Sequence, residues 1–261
     1  MRQVDISNIT DQLSVSPQIT VVDAEATGAG SGGELCDADV AIVGRGAGGI
    51  AVAASLKSRD SDLDVAVIGP ADILYDQPGW TMVGGGIFDA QSAARTMGSL
   101  ISKGVHWLKS ALAAFEPEND AVILDGCRVV KYRRLFVCPG LKLDWGKVKG
   151  LEETLGRKGV TSNCHYDLAP YMWKLVRQMR KGRALLTQLP MPIKCAGAPQ
   201  KAMYLSGDAW FCRGVLKDID VQFMNAGCVL FGVKDYVPAL ERYVEKYDAA
   251  LNFFHNLIAV D

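Results

Sequence analysis

Hydrophobic and polar positions along the chain follow two periods. Val40-Ala-Ile-Val43 is an unbroken apolar run of strand length, the pattern of a strand buried on both faces. It runs into Gly44-Arg-Gly-Ala-Gly-Gly49, and the Ala-rich stretch from Ile50 to Leu56 suits a helix. Val65-Ala-Val-Ile68 is a second buried run. Strand, glycine turn, helix and strand in roughly 30 residues predict a βαβ unit. A helix is predicted near Ala90 to Ser102. Trp107 to Val137 reads as β-rich, turning at Glu116-Pro-Glu-Asn-Asp120, and Leu135-Phe-Val-Cys-Pro-Gly140 returns to the sheet. A second unit begins near Gly182. There Ala184–Thr187 is a strand, 190–199 a loop, Gln200 to Trp210 a helix and Val221–Met224 a strand. Tyr236 to Tyr247 has apolar residues at helical spacing, and Leu251 to Val260 starts another strand or hairpin.

This pattern divides the chain into a 1–36 extension, a dinucleotide-binding domain over 37–150 and a second domain of similar type over 151–261. Thr27-Gly-Ala-Gly-Ser-Gly-Gly-Glu34 is flexible in composition and marks the first join. The chain stops on an apolar pattern with no cap or polar tail, so the second domain is expected to be incomplete. The 261 residues suffice for a buried core. Lys plus Arg is 28 and Asp plus Glu is 29, a balance that gives no reason to expect a nucleic-acid partner. No run of 18 apolar residues suggests a membrane-spanning helix, and Met1-Arg2-Gln3-Val4-Asp5 does not open a secretory signal.

Gly44-x-Gly46-x-x-Gly49 lies between a strand and a helix, the context that gives this motif its meaning. Gly44 permits the tight turn, Gly46 lets a pyrophosphate approach the backbone, and Gly49 allows helix and strand to pack closely. Free N–H groups at the helix start, Ala47 among them, favour the phosphates. The acidic residue that normally ends the second strand and binds the ribose is replaced by Gly69, followed by Pro70. Asp72 is a candidate substitute. Two lost hydrogen bonds, each worth roughly 0.5–1.5 kcal/mol, would weaken the cofactor without removing the phosphate contribution.

Seven cysteines are scattered without a CxxC pair, so neither a zinc site nor a disulfide framework is expected. Most read as small buried hydrophobes. Cys195 differs. It sits before a predicted helix N-terminus, with Lys194 and Lys201 near in sequence, and positive charge and helix N–H groups favour the thiolate. Cys127 and Cys138 fall in predicted β structure. Cys164, beside His165, is either a sulfur-handling thiol or a chance one. Tyr75 and Trp80 are candidate walls of a cofactor site or ordinary aromatic core.

Two stretches make a resemblance specific. Gln77-Pro-Gly-Trp-Thr-Met-Val-Gly-Gly-Gly86 is similar to the segment after the second strand of sulfide:quinone oxidoreductases. Pro192-Ile-Lys-Cys-Ala-Gly-Ala-Pro-Gln-Lys-Ala-Met-Tyr204 resembles their sulfide-oxidising cysteine loop. The likeness runs from about Asp37 to Asp261. It implies an α/β fold of paired Rossmann-like domains of the FAD/NAD(P)-binding type, the first holding FAD. It implies that FAD rests on Gly44, Gly46, Ala47, Gly49, Gly69, Pro70, Gln77, Pro139 and Gly140, with Cys195, Lys201 and Cys164 at the reacting end. It also implies sulfide and quinone as substrates: a persulfide grows between two cysteines, and electrons pass to FAD and then to quinone. The partner cysteine and the membrane-binding helices lie in a C-terminal part that this chain is expected to lack. Turnover by this chain alone is therefore expected to be weak, and its location cytoplasmic or peripheral on an inner membrane. An oligomer is left open. A flavin-binding remnant without turnover and a pyridine-nucleotide–quinone reductase of the same fold are the alternatives; the missing second GxGxxG speaks against the latter. Separately, Ile9 to Ile19 resembles the opening strands of the phosphatase-like domain of beta-lactamase-hydrolase-like proteins, without the loop that domain's chemistry requires.

Overall fold

The computed structural model describes residues 34–261, so the expectations for the N-terminal extension lie outside the described residues. β1 (Glu34–Val43), α1 (Ala47–Arg59) and β2 (Val65–Ile68) form the expected βαβ unit. β1 and β2 are parallel, in register from Val40 opposite Val65 to Val43 opposite Ile68. Successive β1 side chains point to opposite faces, which divides the core in two. Val40 and Ile42 join Val65 and Val67 beneath Ala53 of α1. Ala41 and Val43 join Ile68 on the other face.

That second face is covered by an antiparallel meander. After β5 (Val105–Leu108), which pairs parallel with β2, come β6 (Leu112–Glu116), β7 (Ala121–Leu124) and β8 (Arg128–Val137). The six-stranded order is β5-β2-β1-β8-β7-β6. β8 pairs antiparallel with β7 at its start and parallel with β1 along its length. It carries the chain from the meander back to the central sheet, as the Leu135–Gly140 pattern predicts. Val122, Leu124 and Val130 seal the face and are fully buried.

A smaller parallel sheet follows, ordered β11-β10-β9, from β9 (Gly182–Gln188), β10 (Ile219–Asn225) and β11 (Ala249–Phe253). α5 (Ala198–Cys212) and α6 (Val237–Lys246) are its crossovers. Its core gathers Met203, Trp210, Val221 and Phe223. Gly207 lets α6 close on α5, because a Cβ there would stand 2.7 Å from the Tyr247 ring.

The structure corrects four sequence readings, one being that most cysteines are buried: Cys127, Cys195, Cys212 and Cys228 are exposed, and Cys138 and Cys164 are half-buried. Ala90 to Ser102 is not a helix: two 3-10 turns flank β4 (Ala94–Thr96), which pairs antiparallel with β3 (Ile73–Tyr75). Ala93 and Met97 are buried at helical spacing, but tertiary pairing to β3 overrides it. Cys127 occupies the β7–β8 turn and Cys138 lies just past β8, so neither is within a strand. The last strand ends at Phe253; the chain then turns, and Ala259 bridges to Lys149. Two helices add to the predicted elements, α2 (Gln77–Gly84) and α4 (Ala169–Gln178); in α4 the buried Ala169, Met172 and Val176 stand at helical spacing. Both begin with proline in the first turn, where its missing N–H costs nothing. A four-residue helix, α3 (Leu151–Thr154), lies between the two sheets in sequence. Among the described residues no helix is long and apolar enough to cross a membrane.

One contact sets the start of α1. A Cβ at Gly49 would lie 1.8 Å from the Gly44 carbonyl oxygen, a backbone atom that cannot turn aside. Gly49→Ala is therefore expected to lower the unfolding free energy by about 2–3 kcal/mol. Gly46→Ala, where a Cβ meets nothing within 4 Å, should cost less than about 1 kcal/mol at this N-cap. Urea denaturation of the two variants checks the contrast; equal losses would contradict it.

Candidate functional site

The glycine turn forms where β1 ends. Gly44 has φ +105°, in the region that favours glycine, and a Cβ there would strike the Cys138 carbonyl oxygen at 2.0 Å. Its N–H donates to the Ile68 carbonyl at 3.0 Å, and the Cys138 N–H donates to the Val43 carbonyl at 2.7 Å. The turn is thus fixed from both neighbouring strands, and Pro139 is brought against it; Gly140, at φ +80°, follows in the same loop. Gly46 caps α1, with open space where its side chain would stand. The first turn of α1 carries no acidic residue and its last turn carries Lys57 and Arg59. An anion at Gly46, Ala47 and the following N–H groups would meet the positive end of the helix.

The far end of the cradle departs from the usual pattern. Gly69 is buried, and the Arg45 side chain lies across it; Pro70 beside it is exposed. Arg45 Nη1 donates to the Ile73 carbonyl at 2.6 Å. Partial burial pulls this guanidinium below its ordinary pKa, against the opposing pull of Asp72 and Tyr75. Asp72, the candidate ribose anchor, is held by Lys109 at 2.6 Å.

The cysteine loop joins β9 to α5. Cys195 is exposed and has φ +64°, an uncommon conformation for a non-glycine residue, of the kind that concentrates at functional sites. Its carbonyl accepts the Ala198 N–H at 2.9 Å as α5 begins. Gln200, buried in the first turn, donates to the Leu230 carbonyl and pins the helix start. Lys194 Nζ donates to Gln77 Oε1 at 2.5 Å, tying the cysteine loop to the first residue of α2. Lys201 is exposed in the first turn of α5. Gly84, Gly85 and Gly86 let the end of α2 settle on α4 and α5: side chains there would strike Met172, Leu205 and Trp173 at 2.4–2.9 Å.

Cys164 comes to the same place from the segment before α4. Asn163 Nδ2 donates to the Ala198 carbonyl at 3.4 Å, joining this segment to the start of α5. Burial pushes the Cys164 thiol up; the Ser162 hydroxyl and the Lys194 charge oppose this, and the Cys195 thiol adds to it. Both Lys194 and Cys195 are therefore near enough to act on it. Tyr166 of the same segment meets Tyr75 at 4.5 Å between ring centroids, and Tyr75 meets Trp80 edge-on at 6.4 Å. The Trp80 indole Nε1 is buried without a hydrogen-bond partner among the described residues. His165 pairs with Asp167 at 3.8 Å on the surface.

The structure thus forms two groups. Gly44, Gly46, Ala47, Gly49 and Pro139 surround the glycine turn, and Gly69 and Pro70 lie at the end of β2. Gln77, Cys164 and Cys195 meet at the seam between the sheets. Arg45, Tyr166 and the Lys194–Gln77 bond were missed from sequence. Only Arg45 left a signal, a long cationic side chain between two glycines selected for smallness.

No family model matches the chain. It is 35% identical over 223 residues to a mitochondrial sulfide:quinone oxidoreductase of Dictyostelium discoideum, and 36% identical over 223 residues to that of Mus musculus. Each match takes in 85% of this chain and 49% of the relative, so the chain spans about half the length of the curated relatives it matches. The X-ray structure of the sulfide:quinone oxidoreductase from Aquifex aeolicus superposes with a TM-score of 0.73 at 18% identity, covering 87% of this chain and 53% of that one. That likeness concerns the fold. In sequence, this chain is similar to sulfide:quinone oxidoreductases over about half of their length, and in fold it is similar to the Aquifex aeolicus structure over a like share.

Proposed function

We propose that this chain performs the sulfur-handling part of sulfide:quinone oxidoreductase chemistry, with FAD on the Gly44–Gly49 turn and Cys195 as the sulfur-bearing residue. The observation that carries this reading is the Lys194–Gln77 bond, which holds the exposed Cys195 loop against the segment leading out of the dinucleotide unit. The residues present fit the diphosphate of FAD: there is open space at Gly46, and no acidic residue offsets the helix N-terminus beside it. When bound, FAD supplies a two-electron acceptor that quinone can reoxidise. Cys195 bonds to the sulfur of sulfide; its thiol and one hydrogen sulfide become a persulfide, releasing two electrons and two protons. Lys194 places positive charge beside this step, and Lys201 adds more from α5. Cys164 stands ready as a protonated neighbour, since burial favours its thiol form.

The β9–α5 turn holds a cysteine where a second glycine motif would cradle a nicotinamide nucleotide, which favours sulfur over NAD(P)H as electron source. Residues 37–150 and 151–261 are read as the two domains of this arrangement. Quinone is carried to this chain only by the names of its relatives.

With excess FAD, the purified chain is expected to show a flavin absorbance band with quenched fluorescence, and anaerobic sulfide should bleach it. Gly46→Val should cut flavin content severalfold while leaving the thermal melt almost unchanged, because its side chain enters open space. A parent protein that retains no flavin at all, or a Gly46→Val variant that retains as much as the parent, would sink the assignment.

At neutral pH, limited iodoacetamide should modify Cys195 well before Cys164. Because burial raises the Cys164 pKa, its thiolate and its labelling should grow only above the ordinary thiol range. After sulfide and a mild oxidant, mass spectrometry should place one added sulfur on the Cys195 peptide. Equal labelling of both, or unchanged sulfide reactivity in Cys195→Ser, would count against Cys195.

A further inference from the structure

Gly69 has both backbone groups engaged: its N–H donates to the Leu108 carbonyl at 3.0 Å, and its carbonyl accepts from the Trp107 indole at 2.9 Å. The end of β2 is therefore rigid. A side chain added there would meet Arg45 Cγ at 2.5 Å and Arg45 Cβ at 3.1 Å. Arg45 thus stands in the space in front of β2, where dinucleotide folds of this type place a carboxylate for the ribose hydroxyls. Its guanidinium is anchored on the Ile73 carbonyl at 2.6 Å. Lys109 lies 2.6 Å from Asp72 and 4.3 Å above the Trp107 ring, so the Asp72 carboxylate is already taken.

We propose that Arg45 is a built-in competitor for the adenosine ribose. It fills the subsite that Gly69 leaves, and a dinucleotide seated on Gly44–Gly49 must lift it off the Ile73 carbonyl to bind. Glycine at 69 makes the room for Arg45, so the two residues act as one unit. A carboxylate accepts hydrogen bonds from both ribose hydroxyls, whereas a guanidinium only donates. Displacing Arg45 therefore opens the subsite without supplying the missing anchor. The inference rests on the dinucleotide reading of the cradle and goes beyond it, to which residue limits affinity there.

The test uses two probes on the full chain. ADP reports the adenosine and diphosphate end alone, by calorimetry; FAD reports the whole cofactor, by fluorescence quenching. Parent, Arg45→Ala, Gly69→Glu and the double variant are compared after circular dichroism confirms folding. Arg45→Ala should tighten ADP and FAD alike by about tenfold, the factor for ~1.4 kcal/mol. Gly69→Glu alone should give no gain, because Arg45 occupies its space. In the Arg45→Ala background the same glutamate should add a further gain, so the two effects are not additive. Arg45→Ala binding ADP no better than the parent overturns the inference; weaker binding would make Arg45 a donor to the nucleotide. ADP tightening with no FAD binding upholds the competitor and refutes the flavin reading. No binding of either probe by any of the four overturns both.

Discussion

The contact between Gly49 and the Gly44 carbonyl underlies the rest of the first unit. A Cβ would leave 1.8 Å between non-bonded atoms, so only glycine lets α1 start this close to the end of β1. That closeness aims the unpaired N–H groups of α1 at the space over Gly46. The missing side chain of Gly44 separately leaves room for Cys138 and Pro139 to pass the turn, where β8, arriving from the meander, ends beside β1. Two steric constraints in one turn thus shape an anion cradle and fit the returning strand against it.

A second close approach joins the two sheets. The run Gly84-Gly-Gly86 gives up side chains so that α2 can lie on α4 and α5, and α2 begins at Gln77, the acceptor for Lys194. Glycine in a helix or at its end costs conformational entropy, and here that cost is offset by burial of Val83, Met172 and Met203 along the same contact. The seam ties the Cys195 loop to the first unit, because Lys194 reaches Gln77, and the Asn163 bond to Ala198 brings the Cys164 segment to the start of α5. Cys195 stays exposed in a left-handed backbone conformation while Cys164 is half-buried. The two segments thereby hold one accessible thiol and one withheld one.

The dinucleotide end shows how two departures from a familiar pattern belong together. Gly69 alone reads as a lost anchor, and Arg45 alone as a bulky residue in a turn of small ones. In the structure the one makes room for the other, and the guanidinium finds a carbonyl partner at Ile73. The end of β2 thus presents a cation where dinucleotide folds of this type present a carboxylate.

The sequence by itself determined the elements whose signal is local. These were the buried runs of β1 and β2, the glycine turn between them, the β-rich return through β8, and the cysteine loop ahead of α5. Each depends on near neighbours in the chain, through strand periodicity, positive φ or a helix start, so a short window contains the cause. Only the tertiary structure decided the rest. Ala90 to Ser102 has helical spacing yet pairs with β3, because cross-strand hydrogen bonding outweighs weak propensity. α4 carries its apolar face locally, with Ala169, Met172 and Val176 at helical spacing, but its packing partners α2 and α5 lie far away along the chain. Cys164 is left open in sequence between a sulfur-handling thiol and a chance one, and the Asn163 bond to Ala198, a link across 35 residues, brings its segment to the start of α5. The partners of Arg45, Lys194 and Tyr166 are likewise 28, 117 and 91 residues distant, too far apart for any pattern in a single sequence to pair them.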